Sequence, residues 1–359
     1  MGLWSWLSDL FSGECVPTET PGGGGPGRTP RHEGGGVATL DAPPDRRTSS
    51  EFRSDEEAPW WAVEGAALVE LVPPDRVELT AEARALENLL VSHFDGHDLN
   101  MPPLLHVAER VLALLRSKKT SFGAVAKEIA TDQVITAAVL RMANSPLYRG
   151  LNEITGLPSA VTRLGARALQ TLMMHESLRG AMIHRKGAFR EIAEILWARS
   201  LACGYIMRAL SRFTKLEPED AFLIGLLHDV GNIIVLRVVQ AQSAAIGCRV
   251  DLEFFEYLCA ETHQEFGELV AEAWKLPPSL KALASDHQGY PTEDDPLRTE
   301  RLQLQLTDMI ASCLGYAPRR PYNILEARAA HDLGLVHRHD FAPFLTELPD
   351  SLDELMQAL

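Results

Sequence analysis

From Thr80 to the C-terminus, apolar residues recur three and four positions apart, the spacing that lays one stripe along one face of an α-helix. In TAEARALENLLVSHF (80–94), Thr80 stands at a cap position and Leu86, Leu89 and Leu90 share a face. PPLLHVAERVLALLRS (102–117) repeats the pattern with Leu104, Val107, Val111 and Leu114. TDQVITAAVLRMANS (131–145) starts at a Thr/Asp cap, carries Ile135, Val139 and Met142 inward, and stops at Asn144-Ser145-Pro146. GARALQTLMMHESL (165–178) follows a break at Gly165, and FREIAEILWARSLACGYIMRALSRF (189–213) is the longest clear helix. Strand-like alternation is nearly absent and nothing repeats at a fixed period, so the pattern predicts an all-α, globular multi-helix array rather than a solenoid.

Before Thr80 the pattern is different. GLWSWLSDLF (2–11) puts Leu3, Leu7 and Leu10 near one helical face with Trp4, Trp6 and Phe11 beside them, a short amphipathic segment (1–11) suited to a partner groove or a membrane surface. Residues 12–58 are rich in Gly and Pro, bury too little to offset ordering, and are expected to be a flexible linker. Residues 59–98 are expected to be a helical lead-in that packs on the main domain, 99–315 the main domain, and 316–359 a C-terminal helical extension.

Polar residues break the apolar stripes at a few places. His-Asp occurs four times, at His97, His228, His331 and His339, and three of these pairs lie in polar, loop-like surroundings. His228-Asp229 instead ends the apolar run AFLIGLL, which Pro218-Glu219-Asp220 opens as a helix start. The pair is expected in the last turn of a buried helix, with Gly231 as its left-handed C-cap. Downstream, His263 shares a face with Gly267, Val270 and Trp274, His287 with Leu280 and Leu283, and Asp308 stands between Leu304 and Ala311. One buried histidine is usually a satisfied core residue, and several on successive apolar stripes weaken that reading without removing it; a buried carboxylate without partners is costly, so the His228-Asp229 pair needs partners.

Charge and cysteine usage narrow the classes. A net charge of -15 repels a phosphate backbone. LPSAVTRLGARALQTLMM can be drawn as helix–glycine turn–helix, but its second helix offers only Arg167 to a base, so no nucleic-acid partner is expected. Cys15, Cys203, Cys248, Cys259 and Cys313 form no C-x-x-C pair, which argues against disulfides or thiolate zinc and fits a reducing, cytoplasmic setting. No signal peptide and no apolar run long enough for a transmembrane segment are expected.

The order H-D, H, H, D along helices resembles the HD superfamily of metal-dependent phosphohydrolases. The details are similar to its HDOD branch, a bacterial signalling domain. The resemblance rests on IATDQVITAAVLRMANSPLYRGLNEITGLPSAVTRLGARALQTL (129–172), AFLIGLLHDVGNIIVL (221–236) and THQEFGELVAEAWKLPPSLKALASDHQ (262–288), and covers about 99–315. Gln133 departs from it where the family usually has proline. It implies that His228, Asp229, His263, His287 and Asp308 are a remnant metal-ligand set. The family's first ligand, a histidine in W-x-H-S, falls here on Arg199 of Trp197-Ala198-Arg199-Ser200, and its paired histidines read Asp286-His287. Arg199 lies on the inward stripe Ile192, Leu196, Arg199, Cys203, Ile206 and Leu210. A guanidinium offers no lone pair, and at about 4 Å from a divalent ion it is repelled by roughly 8 kcal/mol. Arg199 is therefore expected to pair with Asp229 or Asp308; should it reach solvent instead, Asp229, His263 and His287 would remain as a one-metal site. The implied function is a non-catalytic signal-transduction module without cofactor that binds a signalling protein, with Trp4, Trp6 and Phe11 as partner contacts, or a nucleotide second messenger. The alternative is a phosphohydrolase using Mn, Fe, Ni or Zn on the incomplete ligand set.

Overall fold

The computed structural model describes residues 59–62, 68–70, 79–96, 104–117, 121–183, 189–317, 320 and 322–357. Trp4, Trp6 and Phe11, the stretch 12–58 and the His97-Asp98 pair lie outside them. The described chain forms helices α1 (Ala81–Gly96), α2 (His106–Arg116), α3 (Phe122–Ile129), α4 (Gln133–Asn144), α5 (Leu157–Ile183) and α6 (Arg190–Leu210). These are followed by α7 (Pro218–Leu227), α8 (Asn232–Ile246), α9 (Leu252–Ala273), α10 (Pro278–Ser285), α11 (Arg298–Cys313), α12 (Arg328–Asp332) and α13 (Phe341–Gln357). Among the described residues β-pairing is confined to isolated bridges from Ala62 to Asn323 and from Leu68 to Tyr322, so the fold is all-α.

Local chemistry sets several boundaries. Thr80 Oγ1 accepts from the Ala83 amide at 3.2 Å, and Asp132 Oδ1 accepts from Val134 and Ile135 at 2.8 and 3.1 Å. Asp251 does the same for Phe254 at 2.9 Å, and Pro218 opens α7 without needing an amide hydrogen. α5 bends at Gly165, where φ is 72°; the segment beyond it is buried at Ala168, Leu169 and Leu172, and Arg167 pairs with Glu217 and Asp220 at 3.1 and 3.3 Å. His331-Asp332 closes the short helix α12 rather than lying in a loop.

The stretch Pro218–Ile246 is long and apolar enough to cross a membrane by composition, which differs from the sequence expectation, but 94% of its apolar window is buried inside the protein. It is also interrupted. α7 ends at Leu227, and His228, Asp229 and Val230 turn the chain into α8. Gly231 is not the left-handed cap expected: its φ of -60° is right-handed, and it starts α8. Its role is close approach, because a Cβ there would lie 1.9 Å from the His263 carbonyl oxygen and 2.6 Å from the Gly267 nitrogen. Gly225 likewise brings α7 against α6, since a Cβ would lie 2.3 Å from the Cys203 carbonyl oxygen. Two glycines thus let α6, α7 and α9 meet backbone to backbone around the His228-Asp229 turn.

Candidate functional site

Four elements deliver polar side chains to one place in the core. The turn after α7 brings His228 and Asp229, α9 brings His263, the residue after the α10 cap is His287, and α11 brings Asp308. None is more than 6% exposed. Each imidazole is fixed by the same device. His228, His263 and His287 donate from Nδ1 to the carbonyl oxygens of Gly225, Cys259 and Leu283 at 2.8, 2.6 and 3.0 Å. A carbonyl only accepts, so each Nδ1 carries the hydrogen and each Nε2 faces the centre.

Asp229 is the hub. Its Oδ1 lies 3.5 Å from His263 Nε2 and 3.4 Å from His287 Nε2. Its Oδ2 lies 3.4 Å from His228 Nε2 and 3.2 Å from Arg199 Nη2. His228 Nε2 also faces Asp308 Oδ1 at 3.3 Å. Burial alone would pull the His228 pKa down; the Asp229 and Asp308 carboxylates outweigh it and push it up to about 10. The same contacts work in reverse on Asp229: burial raises its pKa, and the charges of His228 and Arg199 hold it well below the usual carboxylate range. Asp308 is lowered in the same way against burial, chiefly by His228. His263 goes the other way. Burial, helped by His287 and Arg199, lowers its pKa to about 4 despite Asp229, so at neutral pH its Nε2 presents a lone pair.

All the residues singled out in the main domain therefore meet here, with Arg199 of α6 paired to Asp229. Cys203 and Glu256 also reach the centre, although the sequence pattern did not single them out as site residues. Cys203 Sγ lies 3.8 Å from Asp308 Oδ1, and burial, then Asp308, push its thiol pKa up. Cys203 is one turn beyond Arg199 on the same stripe, which was the available signal. Glu256 sits on α9 two turns before His263, half-buried, and with Arg199, Asp229, His263 and Arg320 lines a cavity of about 410 Å³ beside the centre.

The geometry tests whether metal ions fit. His263 Nε2 and His287 Nε2 are 3.4 Å apart, and both face an Asp229 oxygen that can only accept. Lone pairs that converge in this way repel one another unless a cation or an extra proton lies between them. Their spacing matches the edge of a tetrahedron with bonds of about 2.1 Å, about 3.4 Å. One divalent ion fits on Asp229, His263 and His287, which are already oriented by their carbonyl partners. On the other side of Asp229, the Arg199 guanidinium stands against Oδ2, while His228 and Asp308 with Cys203 form a second group of close donor atoms.

The model of the HDOD domain family matches residues 101–290. This chain belongs to the HDOD domain family. Among solved structures, it is similar to a protein of Shewanella amazonensis that carries the name of a metal-dependent phosphohydrolase, with a TM-score of 0.62 at 19% identity, covering 76% of this chain and 100% of that one. An HDOD domain protein of unknown function from Geobacter sulfurreducens aligns with a TM-score of 0.54 at 21% identity, over 77% of this chain and 97% of the other. Both establish the HD-like helical fold. A curated, uncharacterised protein of Treponema pallidum is 19% identical over 239 residues, 64% of this chain; the HDOD chain spans 44% of that relative's length.

Proposed function

We propose that this HDOD protein is a non-catalytic signal-transduction module that binds a signalling protein or a nucleotide second messenger and does not hydrolyse phosphodiesters. The observation that carries this reading is the 3.2 Å contact between Arg199 and Asp229. Stabilising an in-line displacement with two metals requires ions on both sides of a shared carboxylate. Here one of those positions holds a permanent cation that cannot bind water or release a proton. Arg199 and His228 together neutralise Asp229 and Asp308, so the buried carboxylates are satisfied without metal. Trp4, Trp6 and Phe11 are proposed as partner anchors, since aromatic residues often dominate small interfaces.

A second reading, a phosphohydrolase on an incomplete ligand set, is favoured by the convergence of His263 and His287 on Asp229. An ion bound there would polarise a ligand oxygen and acidify bound water. One experiment separates the two. The full chain, purified without chelator, is assayed for Mn, Fe, Ni and Zn by elemental mass spectrometry and for turnover of bis-p-nitrophenyl phosphate. No more than one ion per chain and no turnover are expected. Two ions with turnover abolished by Asp229→Ala would overturn the non-catalytic reading, and one ion with turnover lost in His263→Ala would replace it with the second.

A further inference from the structure

One turn beyond Arg199 on α6, Cys203 is directed at the second carboxylate of the centre. Its Sγ lies 3.8 Å from Asp308 Oδ1, and His228 Nε2 lies 3.3 Å from the same oxygen. The donor atoms of Cys203, His228 and Asp308 all fall within 4.8 Å of one another, and all three residues are buried. They come from α6, the turn after α7, and α11, so three separate elements hold them. The groups do little for one another as they stand. A thiol is a weak donor to a carboxylate. His228 Nε2, 3.3 Å from Asp308 and 3.4 Å from Asp229, has no hydrogen-bond partner among the described residues. The spacing is that of ligands around one ion. In a tetrahedron with a metal–sulfur bond of about 2.3 Å and metal–nitrogen and metal–oxygen bonds of about 2.0 Å, nitrogen and oxygen stand about 3.3 Å apart and sulfur and oxygen about 3.5 Å. The nitrogen–oxygen distance already meets this, and the sulfur has a few tenths of an ångström to close. His228 is also turned for the task, since its Nδ1 donates to the Gly225 carbonyl oxygen and leaves Nε2 for a metal.

We propose that Cys203, His228 and Asp308 form a thiolate site for one zinc-class divalent ion, which ties α6 to α11 through the His228 turn. The site shares no donor with the Asp229, His263 and His287 position and goes beyond the proposed signalling role. Charge favours it over that position. The Cys203 thiolate and Asp308 bring two negative charges to the ion, whereas Asp229 brings one that Arg199 already opposes at 3.2 Å. Arg199 keeps its pair with Asp229, one turn away from the sulfur along α6. On loading, the ion takes the place of two protons, those of the Cys203 thiol and His228 Nε2, which pass to solvent, so the net charge of the buried centre is unchanged. Sulfur sets the metal class: a thiolate selects zinc over manganese or magnesium. Asp308 forms part of the wall of the cavity of about 410 Å³, and water from that side completes the four ligands.

The test uses the full chain, stripped of metal by chelator under reducing conditions and titrated with Co²⁺ as a spectroscopic substitute for zinc. A sulfur-to-cobalt charge-transfer band in the near ultraviolet is expected to saturate at one equivalent and to bleach when zinc is added. X-ray absorption at the zinc edge of the zinc-loaded chain is expected to show one sulfur neighbour at about 2.3 Å. Cys203→Ser is expected to lose the band and to bind zinc at least about tenfold more weakly. His263→Ala, on the other side of Asp229, is expected to keep the band. A variant with Cys15, Cys248, Cys259 and Cys313 all changed to alanine retains Cys203 as its sole thiol and is expected to keep both the band and the sulfur neighbour. That variant decides the assignment even where Cys203→Ser fails to fold. No metal uptake, a zinc shell of nitrogen and oxygen alone, a band that survives Cys203→Ser, or a band lost in the sole-thiol variant would overturn the proposal. Turnover of bis-p-nitrophenyl phosphate is measured on the same zinc-loaded chain. Turnover would overturn the non-catalytic reading and leave the sulfur assignment standing, whereas a missing sulfur band without turnover would do the reverse.

Discussion

Helices α6 and α7 are joined by an arginine–carboxylate pair at each end, and the two pairs have different surroundings. At one end Arg199 meets Asp229. At the other Arg208 meets Glu219, with both Tyr148 and Arg208 donating to Glu219 Oε1. Arg208 also donates to Tyr148 Oη at 3.1 Å and stands 5.2 Å from its ring centroid. Burial raises the Tyr148 pKa, so its hydroxyl stays a donor. The space beside this second cluster is about 20 Å³, the size of one water, and Glu219 Oε2 has no hydrogen-bond partner among the described residues. The first opens on a cavity of about 410 Å³ and carries three oriented imidazoles. The same ion pair thus serves as a clasp in one place and as one wall of a site in the other. Each end keeps a buried oxygen without a partner among the described residues, Asn232 Oδ1 at one and Glu219 Oε2 at the other, so what separates them is the size of the adjoining space and the three oriented imidazoles.

Breaking the hubs gives the largest contrast. Asp229→Ala strands Arg199 and His228 beside Asp308 alone, and chemical denaturation is expected to show a loss of about 3–5 kcal/mol. Glu219→Ala at the far end leaves an arginine that still stacks on Tyr148, and about 2–3 kcal/mol is expected. Equal losses, or a larger one at Glu219, would mean that the Arg199 end is no more tightly coupled than the clasp.

Gly231→Ala comes next. Its Cβ would meet backbone 1.9 Å away, so α8 and α9 must separate. Overpacking of this kind costs about 1–3 kcal/mol, occasionally more. The movement carries His263 away from Asp229, so metal uptake should fall along with the melting temperature. Loss of stability with unchanged metal uptake would show that the α9 approach does not position the imidazole.

The all-α class and the central residues were legible in the sequence because burial writes a 3.6-residue period and buried polar residues interrupt it. His228, Asp229, His263, His287 and Asp308 all stand on such interruptions. Gly231 is ambiguous in sequence because a glycine after a helix has two physical uses, left-handed φ and close approach, and only the partner helix decides between them. The Tyr148–Arg208–Glu219 clasp is hidden because Tyr148 and Arg208 lie 71 and 11 residues from Glu219 and each alone is an ordinary surface residue type. Glu256 is hidden for a related reason: a glutamate on a helix with other acids nearby looks solvated until Arg199 and Arg320 are placed beside it.

The smallest expected effect sharpens the comparison from the open end. Glu256 has an ordinary pKa of 4.5, raised in the folded protein to about 7, first by burial and then by Glu253, while Arg199 and Arg320 oppose the rise. The folded state therefore holds this proton more tightly than the unfolded state. The stability it contributes is fully present below about pH 4.5, declines between 4.5 and 7, and is gone above 7. Glu256→Gln mimics the protonated form at every pH and removes that slope. Relative to wild type, the variant should gain stability as pH rises from 5 to 8, by a modest amount because the group is half-buried and solvent screens it. Glu219→Gln in the closed clasp removes the charge that Arg208 pairs with, so it should lose stability instead of reproducing the gain. A stability difference between wild type and Glu256→Gln that stays flat across that range would show that Glu256 is solvated like any surface acid.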